Sequence, residues 1–187
     1  MSTTEAQNES RTLHTFITRG VIAIVWAAVF AMVADSLTVG VGVLLVLYPL
    51  IDAVASGIDA RGQNGSARQL LLANAAVSTV AALAIGIAAT GTVANVLVVF
   101  GVWAGLSGAA QLVTALRRRA LLGKQWPMLL AGGASVLLGV AYIIMSTASN
   151  PKLNMLAIYA ATGGIEFIIQ AWLLTRRHAT ALPTRMA

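Results

Sequence analysis

Two carboxyl groups lie inside long apolar runs of this chain, and their type and position suggest chemistry. Asp52 lies in the run 37–61, and Glu166 lies in the run 153–177. A carboxylate inside a lipid bilayer costs about 2.5–3.5 kcal/mol, so each acid should face protein rather than lipid. One hypothesis is a relay that passes protons or cations along these acids. The alternative is a neutral carboxyl group that hydrogen-bonds neighbouring helices and has a structural role.

Each acid has a polar partner four residues later, and such residues are neighbours on one helix face. A third run of similar composition carries a serine in place of the acid, and a tyrosine lies one turn before the first acid. The candidate polar or proton-relay residues are therefore Asp52 with Ser56, Glu166 with Gln170, Ser107 with Gln111, and Tyr48. No arginine or lysine within the apolar runs is expected to be a buried partner for the acids.

The composition indicates an integral membrane protein. The chain has 187 residues, of which 58% are apolar and 10% are charged, and its mean hydropathy is +0.84. Soluble domains contain about 25% charged residues, so this chain has too few to cover a globular surface. Cysteine is absent, which excludes disulfides and thiolate chemistry. The spacings typical of metal sites and phosphate-binding loops are also missing, so no catalytic, cofactor-binding or metal residues are predicted.

Six stretches are apolar enough to cross a bilayer as helices, which takes about 20 residues each. Helix is expected because lipid offers no hydrogen-bond partner to an open backbone. The predicted spans are Thr15–Ala34, Leu37–Ile58, Gln69–Ala89, Thr92–Leu116, Trp126–Thr147 and Leu153–Thr175. Short turns after the odd spans alternate with longer basic segments (61–68 and 117–125) after the even ones, which indicates three consecutive helical hairpins.

The hairpins are interpreted as copies of one unit, because the three polar pairs align at the same place in each second helix. The predicted membrane domain is 15–176, with hairpins 15–60, 66–117 and 124–176. Polar tails precede and follow it (1–14 and 177–187). Repeated units of this kind pack on one another, since a single two-helix unit of about fifty residues cannot bury its packing face. The three second helices are expected to meet near a common axis.

The basic residues predict the orientation of the chain. Lys152 lies in a turn after an odd span, whereas the termini and the two even loops carry all the others: Arg11, Arg19, Arg61, Arg68, Arg117, Arg118, Arg119, Lys124, Arg176, Arg177 and Arg185. The positive-inside rule therefore places both termini in the cytoplasm. The same residues favour contact with anionic lipid headgroups rather than with nucleic acid.

Several further residues predict packing. Gly101 and Gly105 form a pair of small residues that favours a helix contact within the chain, and association of identical chains is left open. Pro49 is expected to kink the second helix just before Asp52. Trp126 and Trp172 suit the headgroup boundary, whereas Trp26 and Trp103 are expected to pack deeper.

The segment Gly105–Gly108 resembles the nucleophile segment of rhomboid intramembrane proteases. That chemistry needs a histidine on the sixth span to take the serine proton. The two histidines of this chain, His14 and His178, lie at or beyond the span ends. The protein is therefore predicted not to be an enzyme.

From Arg19 to Arg177, the chain resembles the HdeD-type acid-resistance membrane proteins, which contain a short repeated two-helix domain of unassigned function. The residues that carry the resemblance are Arg19-Gly20, Tyr48 with Asp52, and Gly132-Gly133 through Gly139, whereas Glu166 departs from it. The resemblance implies a bacterial inner-membrane protein with a non-enzymatic role in acid or membrane stress. The alternative is a small channel or permease for protons, cations or a small solute that uses Asp52 and Glu166.

Overall fold

The computed structural model describes residues 3–122 and 126–181, with side chains for residues 10, 13–116, 126 and 128–176. The elements are α1 (Thr3–Val33), α2 (Val39–Arg61), α3 (Gly65–Ala88), α4 (Val93–Leu122), α5 (Trp126–Met145), a 3₁₀ turn (Leu153–Met155) and α6 (Leu156–Ala181). The described part of the chain is all-helical, and six helices are long and apolar enough to cross a membrane. This confirms the predicted helix class and number.

Part of the orientation prediction lies outside the described side chains. This applies to Arg11, Arg117, Arg118, Arg119, Lys124, Arg177 and Arg185, and to most of the predicted tails 1–14 and 177–187. The orientation therefore stays a prediction.

The helices continue into the basic segments that the sequence assigned to long loops. α2 ends at Arg61 and α3 begins at Gly65, so residues 62–64 are the whole connection. Gly65 has φ +58°, a conformation that glycine adopts without steric cost and that lets the chain reverse here. Arginine is a good helix former, and its long side chain can reach water from a helix end, so basic residues extend helices past the apolar core. At the opposite end, the Thr38 hydroxyl caps α2 by accepting a hydrogen bond from the Val41 N–H at 3.3 Å.

The most extensive helix contacts join α2 with α3, α4 with α5, and α6 with α1. The helices inside each predicted hairpin, such as α1 with α2, touch much less. The first and last helices thus pack together and close the bundle. The repeat itself, with hairpins 15–60, 66–117 and 124–176, stays a prediction.

Glycines allow two of these interfaces to pack backbone against backbone. A Cβ on Gly101 would lie 2.6 Å from the Gly139 carbonyl oxygen, and a Cβ on Gly108 would lie 2.7 Å from the Gly132 carbonyl oxygen, which brings α4 against α5. In the same way, a Cβ on Gly164 would lie 3.0 Å from the Gly20 carbonyl oxygen, which brings α6 against α1. Small residues let helices approach this closely and gain van der Waals contacts between their backbones. The predicted contact of Gly101 within the chain is confirmed.

An aromatic cluster fills the half of the bundle farthest from the 62–64 turn. Its members are Trp26, Phe30, Tyr48, Phe100, Trp103, Tyr142 and Tyr159, linked by ring contacts of 4.5–6.2 Å between centroids. Trp26 and Trp103 are buried, as predicted, and Trp126 and Trp172 are half exposed. Pro49 lies buried inside α2, beside Tyr48. The cluster leaves the other half of the bundle to the polar residues.

Candidate functional site

A cavity of about 1090 Å³ lies inside the bundle. All seven candidate residues from the sequence line it: Tyr48, Asp52, Ser56, Ser107, Gln111, Glu166 and Gln170. They come from α2, α4 and α6, the three helices predicted to meet at an axis. Each helix contributes its pair of polar residues four apart to the same space, because such residues share a helix face. The role of these residues as a relay stays a prediction.

The cavity opens at one end of the bundle and is closed at the other. Its outer wall contains His14, Arg61 and Gln63, which are exposed at the end that carries the 62–64 turn. Its inner wall contains Tyr48, Trp103 and Tyr159 of the aromatic cluster. Arg61 follows Tyr48 by thirteen positions in α2, which corresponds to a depth of about 20 Å at about 1.5 Å per residue. The site is therefore a deep pocket rather than an open pore.

Asp52 lies at the centre of a hydrogen-bond network that joins four helices. Its Oδ1 accepts from the Arg19 guanidinium at 2.5 Å, and its Oδ2 accepts from the Asn74 amide and the Ser78 hydroxyl, both at 2.8 Å. The Trp103 indole N–H donates to the Ser78 oxygen at 3.0 Å. This carboxylate is ion-paired and has hydrogen bonds at both oxygens, which offsets the cost of removing it from water.

Two further bonds extend the network. The Asn74 amide also donates to the Ser56 hydroxyl at 2.9 Å, and the Arg19 guanidinium also donates to Asp59 at 3.1 Å. Arg19 additionally lies over the Phe167 ring at 4.8 Å, which connects α1 with α6 through a cation–π contact.

The expectation that the acids would have no basic partner in the spans was wrong. Arg19 lies within the first span and pairs with both Asp52 and Asp59. This arginine was interpreted as a topology signal because it is close to the start of the predicted span. Asn74 and Ser78 were also missed. They are two polar residues four positions apart inside an apolar run. The same pattern identified the other pairs, so it could have identified this pair as well.

Glu166 has a simpler environment than Asp52. Its Oε1 accepts a hydrogen bond of 2.5 Å from the Gln170 amide, one turn later on α6. Among the described residues, no salt bridge reaches this carboxyl group. A carboxyl group with a neutral partner, beside a cavity, is in a position to gain and lose a proton or to meet a cation.

The α4 pair has unused hydrogen-bonding capacity. The Ser107 hydroxyl and the Gln111 carbonyl oxygen are buried, and neither has a hydrogen-bond partner among the described residues. A buried polar atom without a partner costs about 1–3 kcal/mol, and in native proteins it usually points to water, a ligand or a functional demand. The same observation leaves Ser107 without the base that a serine nucleophile needs. This observation does not test the prediction that the protein is not an enzyme.

Among the residues whose side chains are described, the lining carries three carboxyl groups (Asp52, Asp59 and Glu166), two guanidinium groups (Arg19 and Arg61) and the imidazole of His14. Within the described residues, no group of three or more His, Cys, Asp or Glu side chains is arranged to hold a metal ion. The arrangement therefore suits a proton, a monovalent cation or a small polar molecule better than a tightly coordinated metal.

Comparisons with known proteins give no match to a family model, to a curated protein or to a solved structure. The resemblance to HdeD-type proteins thus stays a prediction. Six helices that are long and apolar enough to cross a membrane agree with the class of multi-pass helical membrane proteins.

Proposed function

We propose that this protein is a small permease that takes up a proton, a cation or a small polar solute in the cavity between α2, α4 and α6. The observation that carries this proposal is the polar cavity of about 1090 Å³ within a bundle of membrane-spanning length. Ligand sites are typically concave, of about 300–1,000 Å³, with a few convergent polar groups. A closed inner end argues for a carrier or gated path rather than for a constantly open channel.

The sequence allowed a structural role or a relay role for the buried acids, and we assign these roles to different residues. Asp52 matches the structural reading, because Arg19, Asn74 and Ser78 satisfy its carboxylate. Glu166 matches the functional reading, because Gln170 is its one hydrogen-bond partner among the described residues and the carboxyl group borders the cavity. We therefore assign the exchange of a proton or cation to Glu166 and the support of the cavity wall to Asp52.

Flux through reconstituted liposomes tests this function. We expect the wild-type protein to conduct protons or monovalent cations, recorded by an internal pH dye or by ion-selective electrodes. Glu166→Gln should abolish the flux, because it keeps the shape of the side chain but cannot ionise. Asp35→Asn is the matched control, since Asp35 is an exposed acid at the opposite end of the bundle. Flux that survives Glu166→Gln would refute the assignment to Glu166. A wild-type protein that conducts neither these ions nor small polar solutes would refute the permease.

We also propose that the protein lies in a bacterial cytoplasmic membrane with both termini inside, as three repeated hairpins. The asymmetry of the basic residues supports the orientation. The chain has no cysteine, so a single introduced cysteine reports its own side of the membrane. In intact cells, a maleimide that cannot cross membranes should label Ser149→Cys but not Gln63→Cys. The opposite result would invert the topology and the side from which the cavity is reached.

A role in acid stress is a second candidate, and the Glu166–Gln170 pair is the observation that favours it. A buried carboxyl group with a neutral amide partner could bind protons as the surroundings acidify. Cells that lack the protein should then survive less well at low pH, and a wild-type copy should restore them. A copy with Asp52→Asn and Glu166→Gln should not. Equal survival of all strains would remove the acid-stress role while leaving transport to the liposome assay.

A further inference from the structure

Three aromatic rings close the inner end of the cavity, one from each of the helices that surround it. Tyr48 of α2, Trp103 of α4 and Tyr159 of α6 line the cavity there, and their ring centroids are 5.7–6.2 Å apart. Phe100, which is buried one turn earlier in α4, contacts all three rings at 5.2–6.2 Å between centroids. A path along the axis of the bundle therefore has to separate these rings.

Tyr48 belongs to a turn of α2 that is weakened by proline. Pro49 is buried inside this helix and has no N–H group, so it cannot donate to the Leu45 carbonyl oxygen as another residue would. The Trp26 indole N–H of α1 donates instead to the adjacent Leu44 carbonyl oxygen at 2.9 Å. Helices bend most readily where a backbone hydrogen bond is already missing, so this turn is the natural hinge of α2.

The contacts of the wall rings make Tyr48 the easiest of them to displace. The Trp103 indole donates to Ser78 at 3.0 Å, and Ser78 belongs to the Asp52 network. Moving Trp103 therefore breaks a hydrogen bond of that network, whereas moving Tyr48 separates ring contacts. There is also space for Tyr48, because a Cβ on Gly163 of α6 would lie 3.7 Å from its hydroxyl and no side chain is present at that position.

We propose that Tyr48 is the gate of the cavity. A bend of α2 at Pro49 moves the Tyr48 ring away from Trp103 into the space beside Gly163, and this opens the closed end. The inference rests on the proposed permease function and names the side chain that controls passage through the same cavity.

A labelling experiment tests the closure without any transport. The chain has no cysteine, so Phe100→Cys reports on the region directly behind the wall. Tyr48 and Tyr142 lie at similar distances from the Phe100 ring, 6.2 and 6.0 Å, but Tyr142 is not part of the cavity lining. In the purified full chain in detergent, a charged methanethiosulfonate should modify Phe100→Cys about tenfold or more faster with Tyr48→Ala than with Tyr142→Ala. Equal rates would contradict the assignment of Tyr48 as the gate.

Loss of the Tyr48 ring should also leave the path open for transport. We expect Tyr48→Ala to raise the flux in liposomes about tenfold or more, because an open state that is a minor population becomes permanent. Tyr142→Ala is the matched control and should leave the flux near that of the wild type. The combination of Tyr48→Ala with Glu166→Gln should conduct nothing, which separates an open gate from a leak through unfolded protein. Equal flux in the two single variants, or flux that persists in the combination, would overturn the inference.

Filling the space beside Tyr48 should have the opposite effect. Gly163→Leu places a side chain next to the Tyr48 hydroxyl and should reduce the flux about tenfold or more, because it opposes the open state. Gly133→Leu is the matched control, since a Cβ there meets nothing within 4 Å. Adding Tyr48→Ala to Gly163→Leu should restore the flux, because no ring remains to be held in place. A combination that stays blocked would show that leucine obstructs the path itself and would contradict the proposed movement.

The two proposals fail separately. If Glu166-dependent flux occurs in the wild type but Tyr48→Ala changes neither the flux nor the labelling of Phe100→Cys, the permease stands and the gate falls. If Tyr48→Ala accelerates the labelling but neither it nor the wild type transports protons, cations or small polar solutes, Tyr48 closes a binding cavity and the permease falls.

Discussion

Asp52 and Glu166 lie at matching positions in α2 and α6 and line the same cavity, but their surroundings differ. Asp52 accepts hydrogen bonds from Arg19, Asn74 and Ser78, so both of its oxygens are occupied. Glu166 accepts one from Gln170 on its own helix. Two acids that line one cavity therefore have different surroundings, and these surroundings are the basis for assigning them different tasks.

The difference extends to the helices around each acid. On the Asp52 side, polar side chains join α1, α2, α3 and α4 into one network, which is most stable when every member is satisfied. On the α4–α5 side, glycine contacts bring the backbones together, and the Ser107 hydroxyl and the Gln111 carbonyl oxygen have no hydrogen-bond partner among the described residues. The described part of the molecule thus combines a satisfied polar network on one side with two buried, unsatisfied oxygen atoms on the other.

The largest effect is expected from Arg19→Leu. It leaves Asp52 and Asp59 without their cation, and removing one partner of a buried ion pair typically costs about 3–5 kcal/mol. The free energy of unfolding, measured in detergent by titration with dodecyl sulfate and tryptophan fluorescence, should fall by about 3 kcal/mol. Arg68→Leu, at an exposed position, is the matched control and should change it by less than about 0.5 kcal/mol. Similar losses in both variants would show that the Asp52 network does not stabilise the bundle.

The next largest effect on stability is expected at the α4–α5 interface, where Gly132 and Gly133 are adjacent in the sequence. A Cβ on Gly132 would lie 2.8 Å from the Gly108 carbonyl oxygen, whereas a Cβ on Gly133 would meet nothing within 4 Å. Overpacking usually costs about 1–3 kcal/mol, so Gly132→Ala should destabilise the protein by about 2 kcal/mol. Gly133→Ala should be neutral or slightly stabilising, because alanine is the better helix former. The same unfolding titration checks both, and equal effects would mean that α4 and α5 do not pack as closely as described.

Replacing each acid by its amide compares the contributions of Asp52 and Glu166 to the free energy of unfolding. Asp52→Asn removes the ion pair with Arg19 and changes what the side chain can accept, so it should reduce the free energy of unfolding by about 2 kcal/mol. Glu166→Gln keeps a hydrogen-bonding side chain next to Gln170 and breaks no salt bridge among the described residues, so it should stay within about 0.5 kcal/mol of the wild type. If Glu166→Gln proved the more destabilising, the roles assigned to the two acids would have to be exchanged.

Much of the fold could be predicted because lipid permits few solutions. Apolar runs of sufficient length had to form helices, and the six helices are confirmed. The polar pairs four residues apart were found from spacing alone, and all of them line the cavity. Helix ends were less predictable. Arg61 continues α2 rather than starting a loop, because a long basic side chain can reach water from a helical backbone.

The partners within the site could not be predicted with the same ease. Arg19 lies near a span end, where its sequence position fits topology as well as ion pairing, and its contact with Asp52 depends on how α1 packs in three dimensions. The sequence likewise did not predict which helices pack on one another, because α6 and α1 are adjacent in space but lie at opposite ends of the sequence. Hydrophobicity indicates that a helix is in the membrane, but it does not specify which neighbour it contacts, since that depends on small residues and polar contacts on each face.

The smallest effects on the free energy of unfolding are expected from two buried serines, Ser78 in α3 and Ser107 in α4. Ser78 donates to Asp52 and accepts from Trp103, so Ser78→Ala leaves both groups short of a partner and should cost about 1–2 kcal/mol. Ser107 has no hydrogen-bond partner among the described residues, so Ser107→Ala removes an unsatisfied group and should be neutral or stabilise the protein by up to about 1 kcal/mol. Both substitutions remove one oxygen atom from a buried helical position, so the unfolding titration compares like with like. A loss for Ser107→Ala equal to that for Ser78→Ala would contradict the assignment of Ser107 as an unsatisfied group, whereas a neutral result or a gain in stability would agree with it.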